Sequence, residues 1–182
     1  MPPKPNVLME EADIDRVLRR VASQILERHR GLDNVVLLGI RTRGYTLAKR
    51  LARILKETAK AEPPVGALDI GLYRDDLELR STQPMVQISD VPFDIEDRDV
   101  ILVDDVLNTG RTTRAALNAL ADFGRTRTIQ LAVLVDRGHR ELPIRADYTG
   151  LEVQTRRDEN VEVLLIEEDG EDKVQLVVRE ER

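Results

Sequence analysis

The sequence predicts a three-layer α/β domain with a mostly parallel central sheet, and two observations carry that prediction. Uninterrupted apolar runs at residues 35–39 (VVLLG) and 100–103 (VILV), with the largely apolar segment 128–135 (TIQLAVLV), have the character of strands buried on both faces. Between them lie segments with apolar residues at helical spacing. Strand and helix therefore alternate, the order that builds a parallel sheet covered by helices.

Taken in order, a Pro-rich, acidic lead precedes a first helix whose inner stripe is Ile14, Val17, Leu18, Val21, Ala22, Ile25 and Leu26. Gly31 suits its end. The VVLLG strand follows, and the loop RTRG leads into a second helix carrying Leu47, Ala48, Leu51, Ala52 and Leu55 inward. Pro63 and Pro64 stop it. Residues 65–73 read as a strand, residues 74–84 are charged and aperiodic, and residues 86–89 read as a short strand. The run DVILVDDV is the most deeply buried strand by composition, followed by LNTGRTT and a third helix, TRAALNALADFG. After the strand at 128–135 comes a loop, DRGHRELPIRADY. The segment VEVLLIEEDGEDKVQLVV then reads as a hairpin closed by Glu168, Asp169 and Gly170. No linker or repeat divides residues 1–182, so a single domain is expected.

Composition narrows the chemistry. With no cysteine, neither a disulfide framework nor a thiolate metal site can form, and two histidines do not make a histidine metal centre. A net charge of −6 does not suit a generic nucleic-acid binder, although a local basic face can still exist. Arginine outnumbers lysine 23 to 5, which suits phosphate-rich ligands. No apolar run approaches the roughly 18 residues of a membrane span, and the N-terminus lacks the apolar core of a secretion signal, so a cytoplasmic location is expected.

The chemistry concentrates in residues 100–113, VILVDDVLNTGRTT. In open α/β sheets ligands collect beyond the carboxyl ends of strands, which places Asp104 and Asp105 at a crevice. The loop of Val106, Leu107, Asn108, Thr109, Gly110 and Arg111 then opens a helix near Thr112, whose free N–H groups and partial positive charge suit a phosphate. Acids beside a phosphate cradle would repel the anion unless they serve another group. A ribose phosphate reconciles them, since carboxylates accept hydrogen bonds from vicinal hydroxyls. The same strand-loop-helix logic recurs in GIRTRG, where Thr42, Arg43 and Gly44 offer a hydroxyl, a guanidinium and an open backbone to a second anion.

VILVDDVLNTGRTT resembles the phosphoribosyl-pyrophosphate motif of type I phosphoribosyltransferases. The resemblance implies that fold, with a small hood and a C-terminal β-hairpin beside the sheet. It implies that Asp104 and Asp105 hold the ribose hydroxyls and that Leu107 to Thr112 cradle the 5′-phosphate. Thr42, Arg43 and Gly44 resemble the pyrophosphate loop. LYRDDLELRSTQPMV resembles the mobile loop that closes over the reaction, with Arg74 and Arg80 facing the pyrophosphate and Asp75 and Asp76 nearby.

LVDRGHRELPIRADY, with TRGYTLAKRLA, narrows the resemblance to the branch of bifunctional pyrimidine operon regulators and uracil phosphoribosyltransferases, over about residues 14–178. It implies a base pocket at Val135, Asp136 and Arg137 with Val161 at its edge. It implies transfer between phosphoribosyl pyrophosphate (PRPP) and uracil to give UMP, with Mg2+ carried by the substrate and no metal held by the protein alone. It also implies homo-oligomers and binding of the pyr mRNA leader under UMP or UTP control. Arg19, Arg20 and Arg28, with further arginines on the first helix, are the candidate RNA contacts. Only 3% of residues are aromatic, so arginine and shape rather than base stacking would carry recognition. Two other readings stay open: a phosphoribosyltransferase for another base without an RNA role, and an RNA-binding regulator that has lost catalysis. Asn108 departs from the tyrosine common at its position in relatives.

Overall fold

The computed structural model describes residues 6–73 and 89–179. Its central sheet has five parallel strands in the order β3-β2-β4-β5-β6, formed by β2 (Val35–Ile40), β3 (Val65–Leu68), β4 (Asp99–Leu107), β5 (Thr128–Asp136) and β6 (Tyr148–Glu152). A second, antiparallel sheet has the order β1-β8-β7, from β1 (Asn6–Glu10), β7 (Glu159–Leu164) and β8 (Lys173–Val178). The helices are α1 (Glu11–His29), α2 (Arg43–Ala59), α3 (Arg111–Ala121) and the single turn α4 (Ile166–Asp169).

Strand alternation sorts the core into two halves. Leu37, Ile101, Val103, Ala132 and Leu134 face α1 and α2, where Ile14, Leu18, Ile25, Leu47, Leu51 and Leu55 meet them. Val36, Leu38, Val100, Leu102, Leu131 and Val133 face Ala115, Ala116, Ala119 and Leu120 of α3. This period-two division is what a strand covered on both faces requires, and it explains why these runs are so largely apolar. Val161, Val163 and Val174 of the smaller sheet enter the first half, so both sheets share one core.

Four expectations change. The N-terminal lead contains a strand, β1, which reaches the small sheet by pairing with β8. Residues 65–73 form a strand only to Leu68. The Asp69 side chain then accepts the Gly71 N–H at 2.9 Å and turns the chain into a 3-10 helix at Gly71–Tyr73. The loop DRGHRELPIRADY ends in a strand, β6, that begins at its last residue, Tyr148, and continues to Glu152, a stretch the sequence assigns to no element. The C-terminal hairpin is present, but α4 and a left-handed Gly170 close it instead of a simple turn. Of the expected strand at 86–89, only Ser89 is described, as coil, and Asp90 makes an isolated bridge to Ala67.

The amino-terminal ends of the strands, away from the site, are tied by a polar network. Asp99 receives Arg127 and the Thr128 hydroxyl, and these donors lower its carboxyl from the ordinary 3.8 to about 2. His29 and Tyr148 share the Gln130 carbonyl at 2.9 and 2.7 Å, which joins the end of α1 to β5 and β6.

Candidate active site

The strand order places a topological switch point between β2 and β4. From β2 the chain winds outward to β3, and from β4 it winds the other way to β5 and β6. Crevices for ligands open beyond the carboxyl ends of strands at such a point. Both predicted anion loops emerge there, from the ends of neighbouring strands.

β4 runs through the acidic pair to Leu107, further than its apolar run suggests. Asp104 is buried and Asp105 half-buried. The Asp104 carboxylate accepts the Asp105 N–H at 2.9 Å, and the Asp105 carboxylate accepts the Val106 N–H at 2.8 Å. One oxygen of each is thus fixed by backbone, which sets the carboxylate orientation. The loop that follows enters α3 at Gly110, whose φ of 93° favours glycine. The Thr109 hydroxyl accepts the Arg111 N–H at 3.2 Å, and the helix begins.

This loop is braced from residues 136–142. The Thr109 carbonyl accepts the Glu141 and Leu142 N–H groups at 2.9 and 3.1 Å. Arg140 donates to the Asn108 carbonyl at 2.6 Å and to Asp136 at 2.7 Å, and Arg111 pairs with Glu141 at 2.9 Å. The buried Asn108 Oδ1 finds no hydrogen-bond partner among the described residues. No local pattern in the sequence singles out Arg140. Arg140 is the strut between the phosphate loop and the end of β5.

At the second loop the Arg41–Thr42 peptide is cis, and Thr42 already caps α2. Arg43 and Gly44 therefore lie in the first turn of the helix, where a loop was expected. Gly44 packs directly on β4: a Cβ there would stand 2.3 Å from the Val103 carbonyl oxygen and 3.2 Å from the Asp104 Cα. The start of α2 is thus held against β4 through backbone, beside the acidic pair. Arg43 does not point free. Its Nε and Nη2 donate to Asp169 of α4 at 3.2 and 2.7 Å, which raises its pKa above that of an ordinary arginine. Thr46 donates to Glu168 at 2.9 Å, and Arg50 pairs with Glu167 and Asp172. Nothing local in the sequence links these residues; their pattern is visible only as helical spacing on α2.

Of the expected base-pocket residues, Val135 is buried at the end of β5 and Asp136 caps the following turn by accepting the Gly138 N–H at 3.0 Å. Arg137 is buried and donates to Thr155, to Asn160 at 2.9 Å and to the Glu159 carbonyl, all uncharged acceptors. Burial and the nearby Arg179 lower its pKa. Val161, next along β7, is buried in the shared core. Arg137 therefore ties the end of β5 to the start of the small sheet, beside Val161.

The candidate RNA arginines are engaged within the molecule. Arg19 pairs with Asp15 and Glu57 at 2.8 and 3.3 Å; Arg20 donates to the Thr149 and Gly150 carbonyls; Arg28 pairs with Asp147 at 3.1 Å. Arg20 and Arg28 fasten α1 over the start of β6, and Arg19 ties α1 to α2. Arg74, Arg80, Asp75 and Asp76 lie outside the described residues. No group of three or more metal-ligating side chains gathers among the described residues, and no described helix is long and apolar enough to cross a membrane.

The family described as phosphoribosyl transferase domain matches residues 10–167. The chain belongs to that family. Within the phosphoribosyltransferases it is 56% identical over 163 residues to the bifunctional protein PyrR of Roseiflexus sp. (strain RS-1), covering 90% of this chain and 89% of the relative. It is 56% identical over 174 residues to the bifunctional protein PyrR of Deinococcus radiodurans, covering 96% and 94%. Among solved structures, a hypoxanthine-guanine phosphoribosyltransferase from Bacillus anthracis superposes with a TM-score of 0.73 at 19% identity, covering 95% and 98%. The hypoxanthine phosphoribosyltransferase of Trypanosoma cruzi gives 0.71 at 19%, covering 96% and 97%. These two share the type I phosphoribosyltransferase fold, with its parallel sheet and separate antiparallel sheet.

Proposed function

We propose that this protein transfers a phosphoribosyl group from PRPP to uracil, giving UMP and diphosphate, in the cytoplasm and as a homo-oligomer. We propose in addition that it binds the pyr mRNA leader under the control of UMP or UTP. The observation that carries the first half is the contact of Gly44 with Val103 and Asp104. It brings the start of α2 against the strand that carries the carboxylate pair, and this supports the arrangement a ribose phosphorylated at both ends needs.

In this reading Asp104 and Asp105 accept the ribose hydroxyls through their remaining oxygens. The start of α3 holds the 5′-phosphate, and Thr42 and Arg43 at the start of α2 hold the pyrophosphate. The bond from N1 of uracil to ribose C1 forms as the C1–oxygen bond breaks. Pyrophosphate leaves with the electron pair, and N1 gives up its proton. Positioning and electrostatics then carry the rate, without a protein nucleophile. Arg74 and Arg80 would cover the departing group. Mg2+ bound to the substrate's own oxygens would neutralise the pyrophosphate charge, and an adjacent carboxylate pair with no third ligating side chain among the described residues supports an ion that arrives with the substrate. The base would sit against Val135, Asp136 and Arg137, with Val161 behind.

Uracil, hypoxanthine and orotate offered side by side with PRPP and Mg2+ should yield product from uracil alone. A purine product would select the other-base reading, and no product from any base would sink catalysis. For regulation, UMP should tighten binding to the pyr leader in a filter or gel assay. Equal RNA affinity with and without nucleotide would remove that half. RNA phosphates would meet the α1 arginines beside or in place of their present carboxylate and carbonyl partners, so a steep salt dependence is expected.

A further inference from the structure

The Arg43 fork is occupied. Its Nε and Nη2 hydrogens, the pair that grips a phosphate side-on, both go to the Asp169 carboxylate at 3.2 and 2.7 Å. Asp105 and Glu168 also act on Arg43 through charge. On the proposed reading this is the guanidinium that must meet pyrophosphate, so the protein already holds an anion where the substrate's anion belongs.

Three features make the contact exchangeable. Asp169 keeps a second donor, since its Oδ2 accepts the Leu165 N–H at 2.8 Å, so loss of Arg43 does not strand a buried carboxylate. The Arg43 side chain is 36% exposed, whereas Arg50, which joins the same turn to α2 through Glu167 and Asp172, is only 11% exposed. Thr46 adds a third tie, to Glu168. Release of Arg43 therefore leaves α4 docked: Arg50 is the fixed attachment and Arg43 the removable one.

We infer that Asp169 is a positioning residue that acts as an internal competitor for pyrophosphate, yielding the Arg43 fork when PRPP binds and reclaiming it as diphosphate leaves. The inference rests on the pyrophosphate-loop reading and goes beyond it, because a residue 126 positions away on the hairpin connector then sets how tightly that loop holds its anion.

The test measures inhibition by inorganic pyrophosphate and the KM for PRPP in the full chain and in Asp169→Asn. An exposed to half-buried ion pair weakens a competing ligand by up to about fivefold. Pyrophosphate should thus inhibit Asp169→Asn about fivefold more tightly. KM for PRPP should fall by a similar factor, with KM for uracil unmoved. Arg43→Lys in the Asp169→Asn background should erase the gain, because an ammonium has no fork. Glu168→Gln removes a neighbouring negative charge while the fork stays occupied, and should show little gain. Equal pyrophosphate inhibition in Asp169→Asn and the parent chain overturns the inference, as does weaker inhibition, which would make Asp169 a support for Arg43. A gain in Glu168→Gln matching that of Asp169→Asn also overturns it, in favour of general charge. Failure of the parent chain to bind PRPP or pyrophosphate would instead overturn the loop reading, and the competitor with it. Should Asp169→Asn fail to fold, Asp169→Ser carries the same expectation.

Discussion

Asp104→Asn combined with Asp105→Asn is expected to lower kcat/KM for PRPP by at least about 100-fold while leaving the fold in place. Hydrogen bonds to a charged acceptor contribute about 1.5–3 kcal/mol each, roughly twice those between neutral groups. Loss of the ionic part of two such bonds totals about 3 kcal/mol, which is about two orders of magnitude. The fold should survive because each acid already spends one oxygen on backbone, Asp104 on the Asp105 N–H and Asp105 on the Val106 N–H. An asparagine carbonyl oxygen can take over that bond. Activity should therefore collapse with the urea midpoint nearly unchanged. Full activity in the double variant would show that the pair does not touch ribose, and a collapse of both quantities would make it structural. The single variants should separate the roles: Asp105, half-buried, is the more open to a ligand, whereas Asp104 lies under Gly44.

What could be read from sequence follows the range of the interactions. β2, β4 and β5 were legible because burial on both faces leaves a largely apolar run, and α1 to α3 because their stripes repeat every turn. The two anion loops were legible because each is a contiguous strand-loop-helix. β1 was not: it is five residues long, mostly exposed, and takes its partner from β8 at the far end of the chain. β6 was hidden by Gly150, which looks like a loop residue. It stands where a Cβ would meet the Leu134 carbonyl oxygen at 2.4 Å and Val17 at 2.5 Å, so the glycine records close packing of α1 on the sheet. The acidic turn of α4 was read as hairpin closure, a local role. Its pairing with Arg43, Thr46 and Arg50 is tertiary and has no local signature. The α1 arginines show the converse case. Composition presents them as free charge, and only the fold reveals that Asp15, Glu57, Asp147 and two carbonyls of β6 engage them.

Gly44→Ala is expected to destabilise the protein by about 2–3 kcal/mol and to lower kcat/KM for PRPP by about 100-fold. Helix propensity predicts the opposite sign: alanine in the first turn of α2 should stabilise by up to about 1 kcal/mol relative to glycine. The contact decides between them. A Cβ at residue 44 would stand 2.3 Å from the Val103 carbonyl oxygen, an atom of a central strand hydrogen-bonded to β2 and β5. No side chain can swing aside, so the N-terminus of α2 must lift. That motion pulls on Leu47 and Leu51 in the core and carries Thr42 and Arg43 away from Asp104 and Asp105. A displacement near 1 Å between two halves of one ligand site costs about 100-fold in rate, because the substrate can satisfy only one half at a time. The loss should appear in PRPP turnover more than in inhibition by pyrophosphate alone, since a ligand that touches one loop does not sense the spacing. Urea unfolding gives the stability change, and the two kinetic measurements give the split. A Gly44→Ala protein more stable than its parent and equally active would mean that α2 and β4 are not held in contact at residue 44. The pyrophosphate and ribose sites would then be independent loops, and the geometry that carries the proposed function would be lost.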